Sequence, residues 1–150
     1  MIQRIQTLYL LLIVILGAVL LFMPVVQLTT PPEAAEQYMY DLCATKFIPL
    51  DGLWGLTLTT ALIPLLAFID IFLFKKRILQ ARLNIFLAML CLGYYGILFM
   101  YVWFAQQNLG VEWNLYFWSC IPLICFVLTL MATRRILKDE ALVRAADRIR

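Results

Sequence analysis

Four long apolar stretches alternate with shorter polar segments along the chain, a pattern that is typical of membrane-spanning helices. The stretches cover residues 7–26, 53–74, 83–105 and 113–133. Each is close to the roughly 20 residues with which a helix crosses about 30 Å of hydrocarbon. Because none shows the in–out alternation of barrel strands, we predict one all-α domain over residues 1–150, an antiparallel bundle of four transmembrane helices.

The basic residues lie almost entirely on one side of the predicted membrane. Of the 12 lysines and arginines, all but Lys46 fall before the first span, between the second and third, or after the fourth. Since cytoplasmic segments carry the excess of lysine and arginine, this distribution places both termini in the cytoplasm. The four tryptophans lie near the opposite ends of the spans, as an interfacial belt on the outer face would.

The longest segment between two predicted spans is an outer loop over residues 27–52. Two short apolar runs, at 25–29 and 47–50, flank its polar middle, and residues 38–42 alternate weakly between apolar and polar. Such runs are compatible with a small β-hairpin or sheet that caps the bundle, and equally with an irregular loop.

The last segment, residues 134–150, predicts a cytoplasmic tail helix that can continue directly from the fourth span. Its apolar residues fall on one helical stripe, which includes Leu142, Ala146 and Ile149. Because the stripe is rich in alanine, it suits packing on another helix better than insertion into lipid. These three residues are therefore the candidate partner-binding residues of the tail.

Composition and residue types argue against an enzyme. Hydrophobic residues make up 65% of the chain and charged residues 14%, against roughly 45–50% and about 25% in soluble domains. Histidine, the commonest general base and metal ligand, is absent, and the four cysteines form no C-x-x-C pair. We expect no catalytic residue, metal site or cofactor. The basic residues flank the spans, so we expect them to face the lipid bilayer and no nucleic acid.

Asp70 is the only charged residue inside a predicted span. It lies four residues before the end of that span, about 6 Å inside the cytoplasmic edge of the hydrocarbon. There it can meet polar residues from the neighbouring spans, for which the candidates are Arg4, Asn84, Thr129 and Arg134. A charged residue in a membrane span is a functional candidate by default. Three interpretations remain open: a structural polar contact, a proton or ion site, and a contact with a partner.

Two other features of the spans suggest helix breaks and close helix packing. Pro64 and Pro122 lie inside the second and fourth spans, where each is expected to kink its helix; such breaks can also expose carbonyl groups to an ion. Ala88, Gly93 and Gly96 form a candidate small-residue packing face on the third span, because small residues let helices approach closely.

Three cytoplasmic segments carry a resemblance to a known family. They are MIQRIQT at 1–7, KKRILQARL at 75–83 and RRILKDEALVRAADRIR at 134–150. Together they resemble an uncharacterised family of Bacteroidota inner-membrane proteins, catalogued as domain of unknown function 4293. The resemblance implies a four-span protein of a bacterial inner membrane and no established activity. Because the specific segments are all cytoplasmic, that face, including the tail, is the expected partner surface.

Two classes of function follow from these features. The first is a non-enzymatic accessory or scaffold subunit of an inner-membrane complex, with a membrane-protein partner or further copies of the chain. The alternative is a small oligomeric channel or transporter that uses Asp70 and the proline-kinked spans.

Overall fold

The computed structural model describes residues 3–29, 39–43, 54–73 and 76–147. Within these ranges the chain forms α-helices, β-strands and one 3₁₀ helix. The helices are α1 (Gln3–Phe22), α2 (Trp54–Phe72), α3 (Arg77–Leu109) and α4 (Ile121–Asp147), the strands are β1 (Pro24–Thr29), β2 (Met39–Cys43) and β3 (Glu112–Leu115), and the 3₁₀ helix is Phe117–Cys120.

The helices α1 to α4 are each long and apolar enough to cross a membrane, as the sequence predicts. Helix α1 packs against α2 and α4, and α3 packs against the same two, so the four helices close into a ring. We call the end at which α1 and α3 begin the basic end of the bundle. The other end, which the strands cover, is the sheet end.

The fourth apolar stretch, predicted as a helix over 113–133, begins differently in the structure. Its first residues belong to β3 and to the 3₁₀ helix, and α4 begins only at Ile121. Pro122 is therefore the second residue of α4. In the first helical turn its missing N–H costs no helical hydrogen bond, so the expected kink inside the span is wrong. Helix α4 continues without a break to Asp147 and includes most of the predicted tail.

Helix α3 is longer than the predicted third span at both ends. Its 33 residues extend about 50 Å, against about 30 Å of hydrocarbon. The helix is therefore about 20 Å longer than the hydrocarbon is thick. The helix ends where Gly110 adopts a left-handed conformation, with a φ of 60°, and its N–H donates to the Gln106 carbonyl. Glycine occupies that conformation at little cost because it has no Cβ atom.

The three strands form an antiparallel sheet in the order β2–β1–β3. The central strand places Gln27 opposite Asp41 of β2 and opposite Asn114 of β3. Val25, Val26 and Leu28 of β1 are buried against the bundle. The outer loop thus contains a strand pair, one of the two outcomes left open above, and β3 adds a third strand that the sequence pattern did not predict. The run at 47–50 lies outside the described residues.

Helix α1 ends earlier than the predicted first span, because residues 24–26 belong to β1. The residue before a proline is disfavoured in the helical conformation, and Pro24 follows Met23 directly after the helix. The helix-to-strand change at this point carries the chain from the bundle into the sheet.

Helices α1 and α2 approach each other closely at Gly17 and Pro64. A Cβ atom added to Gly17 would lie 3.0 Å from Cδ and 3.1 Å from Cβ of Pro64. Pro64 leaves the carbonyl of Thr60 without its usual helical donor. The hydroxyls of Thr59 and Thr60 donate to the carbonyls of Gly55 and Leu56, one turn earlier, and so do not replace that donor.

The outside of the bundle is apolar over most of its length. Large exposed side chains occur on all four helices, among them Leu8, Phe68, Phe99 and Leu123. The tryptophans are exposed to different degrees toward the sheet end. An apolar exterior with tryptophans near one end is the surface that lipid and its interface favour.

Candidate functional site

Asp70 lies in a buried cluster of polar side chains near the basic end, between α2 and α3. Nδ2 of Asn84 donates a hydrogen bond to Oδ2 of Asp70 at 2.6 Å. Nε2 of Gln80 donates to the backbone carbonyl of Asp70 at 3.2 Å. The relative exposures of Asp70, Asn84 and Gln80 are 1%, 0% and 4%. We call these three residues the polar clasp, because their hydrogen bonds join the end of α2 to the start of α3.

Gln80 satisfies a backbone group that the end of α2 leaves free. The last four carbonyls of a helix have no donor within it, and Asp70 lies two residues before Phe72, the last residue of α2. Gln80 therefore acts as a cap supplied by the neighbouring helix. The sequence contained a signal for it, since Gln80 and Asn84 are four residues apart and share one face of α3.

Two acceptor atoms of the clasp have no hydrogen-bond partner among the described residues. They are Oδ1 of Asp70 and Oδ1 of Asn84. Both are buried, and an unpaired buried acceptor generally requires a donor, a water molecule or a cation. The clasp thus has hydrogen bonds between α2 and α3, and two of its oxygen atoms, Oδ1 of Asp70 and Oδ1 of Asn84, can still accept one.

The remaining residues predicted to meet Asp70 do not join it among the described contacts. The hydroxyl of Thr129 is buried and donates to the Cys125 carbonyl of its own helix at 2.6 Å. Arg134 is exposed on α4. The side chain of Arg4 lies outside the described part of the structure. Of the predicted set, the structure brings together Asp70 and Asn84.

The predicted packing face on α3 is divided between two sides of the helix. Ala88 is buried, with 5% exposure, whereas Gly93 and Gly96 are exposed and a Cβ atom on either would meet nothing within 4 Å. At 100° per residue, Gly93 lies about 140° around the helix from Ala88. The three residues therefore do not form one packing face, and the glycines that do lie together point away from the bundle.

The tail is held to α1 by a contact that the sequence did not predict. Nε2 of Gln6 donates to Oδ2 of Asp139 at 2.5 Å, and Gln6 is buried. Beyond this contact Leu142 is 56% exposed. The side chain of Ala146 and all of Ile149 lie outside the described residues. The part of α4 that follows the membrane span is thus anchored at its base and presents Leu142 outward.

The sheet end contains a second group of interactions, around the two central tyrosines of α3. The hydroxyl of Tyr95 donates to the Ser119 carbonyl at 2.7 Å and accepts from the N–H of Leu123 at 3.1 Å. That N–H belongs to the first turn of α4, so Tyr95 caps the helix from outside. Tyr94 is fully buried and faces Thr60, but its hydroxyl makes no hydrogen bond of good geometry within the described structure.

An apolar recess of about 420 Å³ lies between strand β3 and the half of α3 that is nearer the sheet end. Its walls are mostly aromatic and aliphatic, and its lining residues include Phe99, Val102, Trp103 and Trp113. None of the residues that line it is charged. An apolar lining of this kind is suited to hydrocarbon.

The described residues contain no group of three or more side chains with metal-binding chemistry. Cys91 and Cys125 are buried free thiols on α3 and α4, and Cys120 is an exposed free thiol. The side chain of Cys43, in β2, lies outside the described part.

Comparison with known proteins identifies one family. The sequence matches the family described as "Domain of unknown function (DUF4293)" over residues 2–149. No curated protein matches the chain. The segments at 1–7, 75–83 and 134–150, whose resemblance was noted from the sequence, thus pointed to this same family.

Proposed function

Because this chain belongs to the DUF4293 family, whose description assigns no function, we propose its role from its structure. It is a non-enzymatic accessory or scaffold subunit of a bacterial inner-membrane complex, with both termini in the cytoplasm. The main support for this proposal is the polar clasp, which is buried within the bundle. Asp70, the one charged residue of α2, is 1% exposed and is bonded to the neighbouring helix.

The polar groups of the clasp bond to each other between two helices, and this supports a structural role. In a conducting protein, an ionisable residue in the membrane faces a water-filled cavity or a pathway. Here the polar atoms of Asn84 and Gln80 hold α2 and α3 together, and Asp70 is not among the residues that line the apolar recess beside β3. Hydrogen bonds between membrane helices fix the geometry of a bundle.

The surface of α3 supports the association with a partner. Gly93 and Gly96 lie on an exposed part of the helix with open space above them, and Met89 and Met100 lie exposed one turn to either side. Small residues allow a second membrane helix to approach the backbone closely, and flexible methionine side chains adapt to a partner. We propose that this face of α3 contacts a helix of another subunit or of a second copy.

The distribution of charge supports the proposed orientation. Lys76, Arg82, Arg134, Arg135 and Lys138 are all exposed toward the basic end. With the excess of lysine and arginine at that end, the positive-inside rule places it in the cytoplasm.

Purification in a mild detergent tests the proposed association. We expect the wild-type chain to migrate in a native gel as a complex, with further polypeptides or further copies in fixed proportion. Gly96→Leu should release the chain as a monomer, because the side chain fills the space through which the partner approaches. Leu123→Phe, on an exposed position of α4, is the matched control and should leave the complex intact.

Recovery of the wild-type chain as a monomer, after cross-linking in intact cells as well as after gentle extraction, would contradict the proposal. Equal losses of the complex in the Gly96 and Leu123 variants would remove the assignment to α3.

One observation favours the alternative function, a small channel or transporter. The Oδ1 atoms of Asp70 and Asn84 are both buried acceptors without a described partner. Oxygen atoms of this kind, supplied by two helices, are suitable ligands for a proton or a hard cation. This function requires that water reach Asp70 during a transport cycle.

A further inference from the structure

A groove at the basic end lies between the first turns of α3 and the last part of α4. Its volume is about 390 Å³, within the range of roughly 300–1,000 Å³ typical of small-molecule sites. The lining residues come from one face of each helix: Ile78, Ala81, Arg82 and Ile85 from α3, and Leu137, Glu140 and Ala141 from α4.

The groove exists because small side chains lie between larger ones. Ala81 on α3 and Ala141 on α4 contribute little volume, whereas Ile78, Ile85 and Leu137 are large. Ile78, Ile85 and Leu137 are exposed or partly exposed at its sides. The groove is therefore a largely apolar depression on the outside of the bundle.

The groove lies at the depth of the lipid headgroups. The length of α3 exceeds the hydrocarbon thickness by about 20 Å, so about the first six residues of the helix extend past the hydrocarbon if both ends share the excess. Ile78, Ala81 and Arg82 belong to this part of α3. Ile85, one turn further, borders the hydrocarbon. A ligand in the groove would therefore have one part among headgroups and another among acyl chains.

The charges around the groove are mainly positive. Arg82 is exposed and lines it. Arg134 and Lys138 are also exposed, and they form an i, i+4 row on α4 beside Leu137. Glu140 is the single acidic residue in the lining. Within the lining one cation, Arg82, stands with one carboxylate, and Arg134 and Lys138 add two cations on the neighbouring exposed surface of α4. This surplus of positive charge complements an anionic group, and basic pockets between membrane helices are suited to anionic lipid headgroups.

We propose that this groove binds one anionic phospholipid, with the phosphate at Arg82 and an acyl chain along the surface formed by Ala81, Ile85 and Ala141. Arg82 supplies a planar, permanently charged donor that can bind two phosphate oxygens at once. The apolar lining takes the first methylenes of the chain, which continue into the bilayer. The site lies outside the polar clasp and away from the exposed glycines of α3.

The test is lipid binding to the purified, delipidated chain in detergent, followed by native mass spectrometry. Dioleoyl phosphatidylglycerol is titrated against dioleoyl phosphatidylcholine. We expect a one-to-one adduct with phosphatidylglycerol, at an affinity about fivefold or more above that of phosphatidylcholine, since each basic residue near the surface contributes about that factor.

Charge variants assign the site to the groove. Arg82→Gln should lower the affinity for phosphatidylglycerol about fivefold and leave that for phosphatidylcholine unchanged, and Glu140→Gln should raise the affinity for phosphatidylglycerol. Arg135→Gln removes the same charge from an exposed position about 160° around α4 from Leu137 by the 100° helical step, and it should have little effect. Equal binding of the two lipids would overturn the proposal, as would equal losses in the Arg82 and Arg135 variants.

A photoreactive side chain distinguishes a lipid from a protein in the groove. With p-benzoylphenylalanine in place of Leu137, irradiation in native membranes should add the mass of one phospholipid to the chain. Cross-linking to another polypeptide or to a second copy at this position would overturn the proposal in favour of a protein interface.

Discussion

Replacing Gly17 with valine is expected to lower the stability of the bundle by about 2–3 kcal/mol, the upper part of the range for overpacked cores. The Cβ atom alone would lie 3.0–3.3 Å from three ring atoms of Pro64. A proline ring cannot rotate away, because it is closed on its own backbone. Helices α1 and α2 would have to separate, and the buried side chains Ile13 and Ile63 would lose part of their packing.

Unfolding in a mixed micelle of mild detergent and SDS measures this effect. Gly93→Ala is the matched control, since a Cβ atom there meets nothing within 4 Å, and it should leave stability unchanged or raise it by about 0.5–1 kcal/mol through the higher helix propensity of alanine. A Gly17→Val protein as stable as the wild type would show that α1 and α2 do not approach each other at this point.

Replacing Asn84 with leucine is expected to cost about 2 kcal/mol of stability, because it leaves Oδ2 of Asp70 buried without a donor. Leucine has the same number and branching of side-chain heavy atoms as asparagine, so the main loss is the hydrogen bond of 2.6 Å. Hydrogen bonds between membrane helices are usually worth less than this, with a mean of about 0.6 kcal/mol. The larger value applies because the remaining carboxyl group is buried, with 1% exposure, in the folded bundle.

The double variant Asp70→Leu, Asn84→Leu gives the decisive comparison. Replacing both members of a buried polar pair by apolar groups of similar shape is often close to neutral. The double variant should therefore be more stable than Asn84→Leu alone, and the cycle should show a clear coupling between the two positions. Additive losses would mean that the two side chains stabilise the bundle independently and that the clasp is not a unit.

The number and approximate position of the membrane helices could be predicted from the sequence. A run of about 20 apolar residues has few alternatives to a helix in lipid, and α2 differs from the prediction only at its ends. The start of α4 was not predictable in the same way. Residues 112–115 became β3 because the edge of β1 was available for pairing, and pairing partners far apart in sequence leave no local signal.

The candidate site was predictable in part. Asp70 stood out because it is charged, and Asn84 because it is a polar residue at the matching depth of the next helix. Arg134 was an equally reasonable partner by depth, but it lies on the exposed side of α4. Depth follows from counting residues, whereas the direction in which a side chain points depends on how the helices are rotated in the bundle. Because the helices are apolar both toward lipid and toward the bundle interior, their sequences gave little information on that rotation.

The sequence placed Ala88 on one packing face with Gly93 and Gly96 for the same reason, because it did not show how α3 is rotated in the bundle. A spacing of five residues places Gly93 well to one side of Ala88 on a helix, and both sides of α3 are apolar. Since lipid and bundle interior accept the same residue types, the sequence did not distinguish an inward from an outward face.

The central claim is that Asp70 belongs to a closed structural contact, and its accessibility to water tests that claim most directly. In a chain whose native cysteines are replaced by alanine, Asp70→Cys is compared with Lys138→Cys, which is exposed, and with Ile63→Cys, which is buried. Each variant that retains the wild-type elution volume is reconstituted into liposomes and treated on both faces with a membrane-impermeant maleimide. A thiol at position 70 should react as slowly as the one at 63. Reaction at a rate near that of position 138 would contradict the account and support the alternative function, in which water reaches Asp70.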